Sequence, residues 1–404
     1  MSEEVFKGIK VLDFGWAVAI PWSLKYLADH GATVIHVEST QHPDFLRTGP
    51  PFKDSQPGID RSYYFSNYHC NKYGMALNMR HPRAREIIGR LVQWADIVVE
   101  NFAPGVMAKW GLAYEDIKKL RPDVIMLSSS QMGQDGPLGA LPGSGIQLAA
   151  YAGLNHLTGW EDRQPCVLYG GFTDCPAGRI GGILLVAALL HRRRTGQGMY
   201  LDLSQLESAI HMAAPIFLDY QANQRVAVRQ GNRHPFAAPH GVYPCRGEDQ
   251  WCAIAVFDDG QWKGLCAAMG NPAWCGEERF AGFPERKNNE DALNELIAAW
   301  TAGFSPEQVM ELLWQQGVPA GKAQKSEDLY QDPQLAAFAY FTEVDHPVIG
   351  RHKVESQAFR LSKTPWRMRR PAPCMGEHTE WICRDVLKLG DEEFIGLLNE
   401  GAFE

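Results

Sequence analysis

The sequence predicts an α/β protein with more than one domain. Short apolar runs alternate with amphipathic helical patterns through the first 130 residues, which is typical of a mostly parallel sheet covered on both faces. Hydrophobic residues make up 45% of the chain and charged residues 21%, as in an ordinary core-forming protein. At roughly 150 residues per domain, the length of 404 residues fits two domains.

The elements of the first half follow from apolar runs and the residues that flank them. Residues 9–14 form a run that predicts a buried strand, and a helix is expected over residues 22–30, where Gly31 supplies a C-cap. A long helix should begin at Asp174, a favourable N-cap residue, and end at the basic residues 191–194. The same reasoning predicts strands over 32–37, 96–100, 123–127 and 198–203, and helices over 82–94, 114–120 and 205–212.

The composition of the chain changes in its second half. One strand and three helices are expected there, over residues 251–257, 261–269, 288–302 and 306–316. We therefore place a smaller α+β domain in residues 225–320. The tail that follows mixes short strands and turns, with a helical pattern over residues 380–389.

Charge, cysteine usage and the N-terminus exclude several classes of protein. The formal net charge of −8 argues against a protein that coats nucleic acid. The N-terminal segment carries acidic residues where a signal peptide carries basic ones, and the longest apolar stretch, residues 183–190, is too short to span a bilayer. The nine cysteines show no Cys-x-x-Cys pair and no zinc-ligand spacing, so reduced thiols and no metal site are expected. We expect a cytoplasmic protein without nucleic-acid or membrane partners.

Three common motifs are missing from the sequence. The loop after the first predicted strand, residues 15–21, lacks the glycines of a dinucleotide-binding fingerprint. The sequence has no phosphate-binding P-loop and no Gly-x-Ser-x-Gly nucleophile elbow. An α/β fold by itself therefore assigns no function here.

Asp174 is the first candidate for chemistry. It is expected at the start of a long helix, and Gly170, Gly171 and Gly178 around it would let a bulky ligand or another backbone approach closely. A helix N-terminus also favours an oxyanion, which suits acyl chemistry. The alternative is that Asp174 only caps its helix.

A second candidate is the loop over residues 100–106. It follows a predicted strand, and ligands of doubly wound sheets bind beyond the carboxyl ends of the strands. Trp16 and Trp22 flank another such loop and would either line a substrate pocket or pack in the core. Four cations are candidates for phosphate contacts or are solvated surface residues: Arg47, Lys72, Arg80 and Lys109.

Five separated segments of the sequence form an ordered set of short motifs. They are residues 11–14 with Pro21 and 27–38; residues 100–105 with 111–112; residues 133–137; residues 173–174 with Gly178 and 194–202; and residues 317–319, 332–333, 346–347 and 376–378. Each motif is weak alone, but together they cover nearly the whole chain. In this order they resemble the class III CoA-transferase family, also called the formyl-CoA transferase or carnitine CoA-transferase family.

The resemblance implies a fold, an assembly and a set of site residues. It implies a Rossmann-like CoA-binding domain formed by residues 1–224 and 321–404, and a dimer in which two ring-like chains interlock. It makes Asp174 the catalytic residue. The residues that would contact CoA are Lys72, Asn101, Phe102, Lys109 and Trp110, with the two lysines near its phosphates.

Departures from the family pattern narrow the expected activity. Val18 stands where formyl-CoA transferases carry glutamine, and residues 231–239 lack their glycine run, so an oxalate-specific enzyme is not expected. Residues 143–147 lack the histidine of the related α-methylacyl-CoA racemases. We expect a substrate pocket formed by Trp16, Val18 and Gly143 that accepts a bulkier, more apolar acid than oxalate.

The resemblance implies covalent catalysis by Asp174. The carboxylate would attack the donor acyl-CoA, and the released thiolate would convert the mixed anhydride into an aspartyl-CoA thioester. An acceptor acid would then reverse these steps, with CoA thioesters as substrates and no metal or prosthetic group. Succinyl-CoA is the expected donor, and an aromatic acid such as benzylsuccinate is the expected acceptor. The alternatives are a CoA-ester isomerase of the racemase type and a CoA-binding subunit of a hetero-oligomer.

Overall fold

The computed structural model describes residues 4–141 and 143–404 and divides into two compact units. The large unit comprises Met1–Asn155, Val167–Val226 and Ala337–Glu404, and the small unit comprises His156–Cys166 and Ala227–Ala336. Residues 156–166 join the small unit because Trp160 packs on Gly231, where a Cβ atom would lie 1.8 Å from the indole ring. Residues 321–336 also fall in the small unit, rather than in the large domain expected from the sequence. Lys322 links this segment to the small unit, because it forms ion pairs with Glu307 of that unit and with Asp328 within the segment itself.

A parallel sheet forms the centre of the large unit. Its strands are β1 (Lys10–Phe14), β2 (Thr33–Glu38), β3 (Tyr73–Ala76), β4 (Ile97–Glu100), β5 (Ile125–Ser130) and β6 (Tyr200–Ser204). Their spatial order is β3-β2-β1-β4-β5-β6, and every neighbouring pair is parallel. The strands from β1 to β5 are almost entirely buried, as expected when helices cover both faces. The predicted α/β class with a parallel central sheet is confirmed.

The remaining elements surround this sheet or build the small unit. The helices up to residue 223 are α1 (Ala19–Asp29), α2 (Phe45–Thr48), α3 (Tyr63–His69), α4 (Ala84–Trp94), α5 (Val106–Lys109), α6 (Tyr114–Leu120), α7 (Gly145–Tyr151), α8 (Leu154–Leu157), α9 (Asp174–Thr195), α10 (Gln205–Ile210) and α11 (Ala214–Asn223). The later helices are α12 (Asp259–Ala268), α13 (Phe283–Asn288), α14 (Glu290–Thr301), α15 (Pro306–Trp314), α16 (Ser326–Gln331), α17 (Pro333–Ala337), α18 (Thr379–Trp381) and α19 (Asp391–Asn399).

The small unit contains an antiparallel sheet with its own core. Its strands are β7 (His240–Pro244), β8 (Trp251–Ala255) and β9 (Ala320–Lys322), in that spatial order. Trp262, Phe280, Leu293 and Val309 lie in one buried cluster with side chains of this sheet. In the large unit, β10 (Phe341–His346) and β11 (Gly350–Glu355) form an antiparallel pair.

Two hydrophobic clusters lie on opposite faces of the parallel sheet. Val11 and Leu12 are neighbours in β1, yet Leu12 packs with residues of α4 and Val11 packs with residues of α1 and α9. Successive side chains of a strand point to opposite faces, so one continuous apolar strand supplies both clusters. This alternation fixes which helices cover which face.

Helix α9 is long and apolar enough, by length and composition alone, to cross a membrane. The apolar stretch over residues 183–190 is only part of this helix, which begins at Asp174 and includes the small residues that follow it. The inner face of α9 packs on α1, and Arg192 near its C-terminus forms ion pairs with Asp96 and Asp123. The core helix of a globular protein passes the same test, and the packing of α9 on α1 is of that kind.

Candidate active site

A cavity of about 350 Å³ opens at the carboxyl ends of β1 to β4 in the large unit. Residues at the ends of these strands and in the segments that follow them line it, among them Trp16, Glu38, Asn78, Arg80, Phe102 and Trp110. Strand β1 lies between β2 and β4, so the order of the strands reverses at this point. Such a reversal is where open α/β sheets bind ligands.

Aromatic rings form one wall of the cavity. The rings of Trp16 and Phe102 meet edge to face with centroids 5.4 Å apart, and those of Phe102 and Trp110 do so at 5.2 Å. The structure thus brings together Trp16, Phe102 and Trp110, which come from two separate segments of the sequence. The row offers apolar surface to a flat ring or an extended chain of a ligand.

Arg80 is the cation that lines this cavity. Its side chain is exposed, and in the described part of the chain it forms no ion pair. Lys109 is also exposed, at the end of α5 and next to Trp110. These two cations are therefore accessible to an anionic ligand.

Lys72 is a core residue rather than a phosphate contact. Its Nζ atom lies 3.0 Å from Asp13 Oδ2, and both side chains are fully buried. Arg47 is likewise buried, and its guanidinium pairs with Glu38 and Asp60. The expectation for Lys72 is corrected on this ground, because its ammonium is fully buried and already paired with the Asp13 carboxylate, so it is not accessible to a ligand.

Asn101 holds the first loop, which we define as residues 15–18 between β1 and α1. Its Oδ1 atom accepts from the Trp16 N–H at 2.8 Å, and its Nδ2 donates to the Trp16 carbonyl oxygen at 2.7 Å. A carboxamide that satisfies both backbone groups of one residue fixes that residue firmly. The side chain of Asn101, which is predicted from the sequence to contact the ligand, orients Trp16 at the cavity.

Asp174 is the first residue of α9 and is partly buried. Burial raises the pKa of its carboxyl to about 6, and the described residues place no cation within ion-pair distance of it. A Cβ atom on Gly171 would lie 2.5 Å from Asp174 Oδ2, so only glycine lets the backbone pass so close. Burial and, after it, the charge of Asp174 raise the pKa of Tyr64, which locates this tyrosine near the carboxylate. Asp174 is thus an unpaired carboxylate in a partly desolvated setting.

Small residues on α9 fix the position of Asp174. Ser23 Oγ donates to the Gly178 carbonyl oxygen at 2.8 Å, so α1 and the N-terminal part of α9 are in direct contact. A Cβ atom on Gly181 would lie 2.4 Å from Ser23 Oγ, and one on Gly182 would lie 2.9 Å from the Tyr26 ring. The glycines after Asp174 therefore serve close helix packing.

Two residues expected in the substrate pocket have other surroundings. Val18 is buried in a cluster with Leu46, Phe65 and Tyr68, so its apolar character serves packing. Gly143 is exposed, and a Cβ atom there would lie 2.7 Å from Gln131 Oε1. Of the three expected pocket residues, only Trp16 lines the cavity described above.

A buried network of charged side chains, which was not predicted from the sequence, lies beneath the first loop. Its members are Asp13, His36, Glu38, Asp44, Arg47, His69 and Lys72. Burial alone would lower the pKa of His36, yet the neighbouring carboxylates, Asp13 foremost, raise it above its ordinary value. Asp13, His36 and His69 offer ligand atoms within 4.8 Å of one another, but Lys72 already occupies the Asp13 oxygen. The available signal was a charged residue inside each of the first two apolar strands.

The fold and the site together define a class of protein. It is an α/β protein with a partly apolar cavity at the carboxyl edge of its parallel sheet and an unpaired carboxylate at the start of a long helix. The chain belongs to CoA-transferase family III, whose family model matches residues 6–379. The family resemblance found in the sequence is confirmed.

Proteins of this family from several organisms are similar to the chain. A Mycobacterium tuberculosis protein named Probable CoA-transferase Rv1866 is 32% identical over 98% of this chain, which spans only 50% of that relative. Succinyl-CoA–D-citramalate CoA-transferase of Chloroflexus aurantiacus is 31% identical over 95% of this chain and 94% of its own length. Other relatives have names that pair succinyl-CoA with glutarate, mesaconate or L-malate, the last being a beta subunit. A crystal structure of a CAIB/BAIF family protein from Brucella suis, 30% identical, matches 95% of this chain and 100% of its own with a TM-score of 0.86.

Proposed function

We propose that the protein is a CoA-transferase that moves CoA from an acyl-CoA thioester to a carboxylic acid through a covalent intermediate on Asp174. The observation that carries this proposal is the unpaired, partly buried Asp174 carboxylate at the start of α9, in a chain of CoA-transferase family III. A nucleophile of this kind requires neither a metal nor a prosthetic group.

The chemistry follows from the raised pKa of Asp174. A carboxylate with a pKa of about 6 is still mostly ionised at neutral pH, and it is more basic than an exposed aspartate. One Asp174 oxygen attacks the thioester carbonyl carbon, the carbon–sulfur bond breaks, and CoA leaves as a thiolate. The thiolate then attacks the Asp174 carbonyl carbon of the mixed anhydride, which releases the donor acid as its carboxylate and leaves an aspartyl-CoA thioester. The acceptor carboxylate attacks this thioester and repeats both steps in reverse.

The cavity at the carboxyl edge of the sheet is the proposed CoA site. Its volume and its aromatic wall suit part of a large, partly apolar ligand. Arg80 at the cavity and Lys109 near it offer cations for the CoA phosphates. In this proposal the large unit is the Rossmann-like CoA-binding domain expected from the sequence.

The proposed donor is succinyl-CoA and the proposed acceptor is a short dicarboxylic acid. Support comes from relatives whose names pair succinyl-CoA with citramalate, glutarate or mesaconate. Benzylsuccinate, the aromatic acceptor expected from the sequence, is a substituted succinate and belongs to the same panel. Its support is weaker than the sequence suggested, because the apolar side chain of Val18, on which that expectation partly rested, packs in a buried cluster.

The proposed assembly is a homodimer with interlocked chains. Apolar side chains on α9 and α11 are strongly exposed in the single chain, notably Ile183, Leu190, Leu218 and Tyr220. Large apolar side chains left exposed on two helices are typical of a protein interface. A hetero-oligomer is the alternative, since one relative is named as a beta subunit.

A donor and acceptor screen with the chain expressed alone tests this proposal. Succinyl-CoA would be mixed with single acids, among them glutarate, citramalate, malate, mesaconate and benzylsuccinate, and new CoA esters read by mass spectrometry. We expect transfer to at least one dicarboxylate, with free succinate formed in equal amount. Deuterium exchange at the α-carbon of an acyl-CoA in the absence of any acceptor would instead identify an isomerase. Transfer only after a second, related chain is added would contradict the homodimer.

A further inference from the structure

We propose that Asp44 is a positioning residue that holds the first loop in the conformation required for binding the CoA thioester. It acts through the backbone of Ala17 and touches neither substrate nor reacting atoms. The inference rests on the proposed function of the cavity lined by Trp16. It adds a residue to which neither the family motifs nor the comparisons assign a role.

The backbone of the first loop is held by side chains from three parts of the large unit. Three successive N–H groups donate to them: Gly15 to Asp13 Oδ1 at 2.8 Å, Trp16 to Asn101 Oδ1 at 2.8 Å, and Ala17 to Asp44 Oδ1 at 3.0 Å. Hydrogen bonds to buried carboxylates are stronger than those between neutral groups. The conformation of the loop is therefore imposed by its surroundings.

Ala17 needs this restraint because its backbone is left-handed. Its φ angle is +60°, a region that a residue with a Cβ atom rarely adopts. Such a conformation persists where the surrounding structure fixes it, and it is concentrated at functional sites. The Asp44 carboxylate supplies the hydrogen-bond acceptor at this residue.

Asp44 is itself held rigidly. Its side chain is fully buried and caps α2 by accepting from the Leu46 N–H at 2.9 Å, while its own N–H donates to Glu38 Oε2 at 3.1 Å. Its second oxygen lies 3.2 Å from His69 Nε2 and 3.6 Å from His36 Nε2. The carboxylate cannot turn away from Ala17 without losing its cap on α2, because the same Oδ1 atom accepts from the Ala17 and Leu46 N–H groups.

The position of Ala17 explains why the restraint matters for function. On one side, Trp16 lines the cavity and contacts Phe102. On the other side, Val18 is the N-cap residue of α1, whose Ser23 contacts Gly178 in the N-terminal part of the Asp174 helix. The loop thus connects the proposed CoA site to the helix that supports the nucleophile. If Ala17 relaxes, Trp16 moves and the site must be reassembled at each binding event.

A double-mutant cycle with Ala17→Gly separates this role from core stability. Asp44→Ala should lower kcat/KM for the acyl-CoA about tenfold, mainly by raising KM, because Ala17 relaxes to an ordinary conformation. Glycine adopts a φ of +60° freely, so the same Asp44→Ala change in the Ala17→Gly protein should cost only about threefold. Asp44→Asn keeps an acceptor oxygen and should stay within about threefold of the unmodified chain.

Asp29 offers a matched control in the same unit. It is also fully buried, and its carboxylate accepts from Lys25, Asn71 and Gln357, but it does not touch the first loop. Asp29→Ala should lower the melting temperature while leaving KM of the folded protein unchanged. Ala17→Gly should raise the melting temperature of the Asp44→Ala protein by more than that of the Asp29→Ala protein.

The dissociation constant of CoA, measured by calorimetry on the same variants, keeps this test independent of turnover. A weaker affinity in Asp44→Ala that Ala17→Gly restores supports the inference even if no acid is ever found to accept CoA. Equal losses in Asp44→Ala and Asp29→Ala, with no restoration by glycine, would make Asp44 a core residue only and overturn the inference. An unmodified chain that binds CoA but transfers nothing would contradict the proposed function alone.

Discussion

Asp174 combines two properties that a carboxylate nucleophile needs, a raised basicity and the absence of a paired cation. Both follow from its place at the start of α9, where burial rather than a neighbouring charge dominates the shift of its pKa. Lys72, by contrast, is fully buried and forms an ion pair with Asp13 in the core. The different surroundings of Asp174 and Lys72 therefore favour a reactive role for the first and a structural role for the second.

The pKa of Asp174 predicts the pH dependence of the first chemical step. Only the ionised carboxylate attacks, so single-turnover formation of the aspartyl-CoA adduct should rise with pH through about 6 and then level off. Burial also raises the pKa of Glu100 to about 6, which makes Glu100→Gln the control. The Glu100→Gln variant removes this second carboxyl but preserves an acceptor for the Phe102 N–H. The inflection near pH 6 should therefore remain in this variant if it belongs to Asp174. A rate that is flat across this range would show that Asp174 is not the titrating nucleophile.

The raised pKa of Asp174 also affects stability, which should fall with rising pH while the reaction rate increases. Folding raises the pKa of Asp174 above its ordinary value of 3.8, so the folded state holds the proton more tightly than the unfolded state. The contribution of this carboxyl to stability is therefore present at low pH and is lost as the pH rises through about 6. A desolvated, unpaired carboxylate at neutral pH is tolerated at a cost, as is common at functional sites.

At the scale of secondary structure, the contact between α1 and α9 determines where Asp174, the proposed nucleophile, lies. Both helices cover the same face of the sheet as Val11, and glycines let them approach closely. The single proton of the Ser23 hydroxyl is shared between the carbonyl oxygens of Ala19 and Gly178, so Oγ is fixed where a Cβ atom on Gly181 would be placed. This contact explains the glycines that follow Asp174 without assigning them to the substrate.

One substitution made in two helices tests this packing. Gly181→Ala should lower the free energy of unfolding by about 1–3 kcal/mol, because the added methyl group collides with the fixed Ser23 hydroxyl. Gly396→Ala in α19, where a Cβ atom meets nothing within 4 Å, should raise it by up to about 1 kcal/mol through helix propensity. Urea unfolding measures both values. Equal effects of the two changes would mean that α1 and α9 are not packed as described.

Apolar periodicity predicted most helices and strands of the large unit. It failed for a short strand and at the ends of some helices. The predicted helix over residues 114–120 has the bounds of α6, whereas α1 begins at Ala19, three residues before the predicted start. Strand β3 was missed because Tyr73–Ala76 has only four residues and includes a glycine. The tail helix expected over residues 380–389 is α18 followed by a π-helical turn over Ile382–Val386. Such boundaries depend on tertiary contacts.

At the scale of the whole molecule, the site is built from distant parts of the chain. Trp16 and Phe102 are far apart in sequence, and the parallel sheet places both at one edge because β1 and β4 are neighbours. A sequence can predict this meeting, since the carboxyl ends of parallel strands share an edge. It cannot show which of several cations is buried, because burial of Lys72 depends on Asp13 lying beneath it. The charge network under the first loop was missed for the same reason.

Trapping of a covalent intermediate on Asp174 is the decisive measurement. The unmodified chain would be mixed with succinyl-CoA without an acceptor, treated with borohydride, digested, and read by peptide mass spectrometry. We expect position 174 to be converted to homoserine, the reduction product of an aspartyl thioester, and we expect no conversion and no transfer in Asp174→Asn. Peptide mapping also separates this product from an adduct on the neighbouring thiol of Cys175. An Asp174→Asn protein that transfers CoA at the unmodified rate, or an adduct found only elsewhere, would contradict the proposed mechanism.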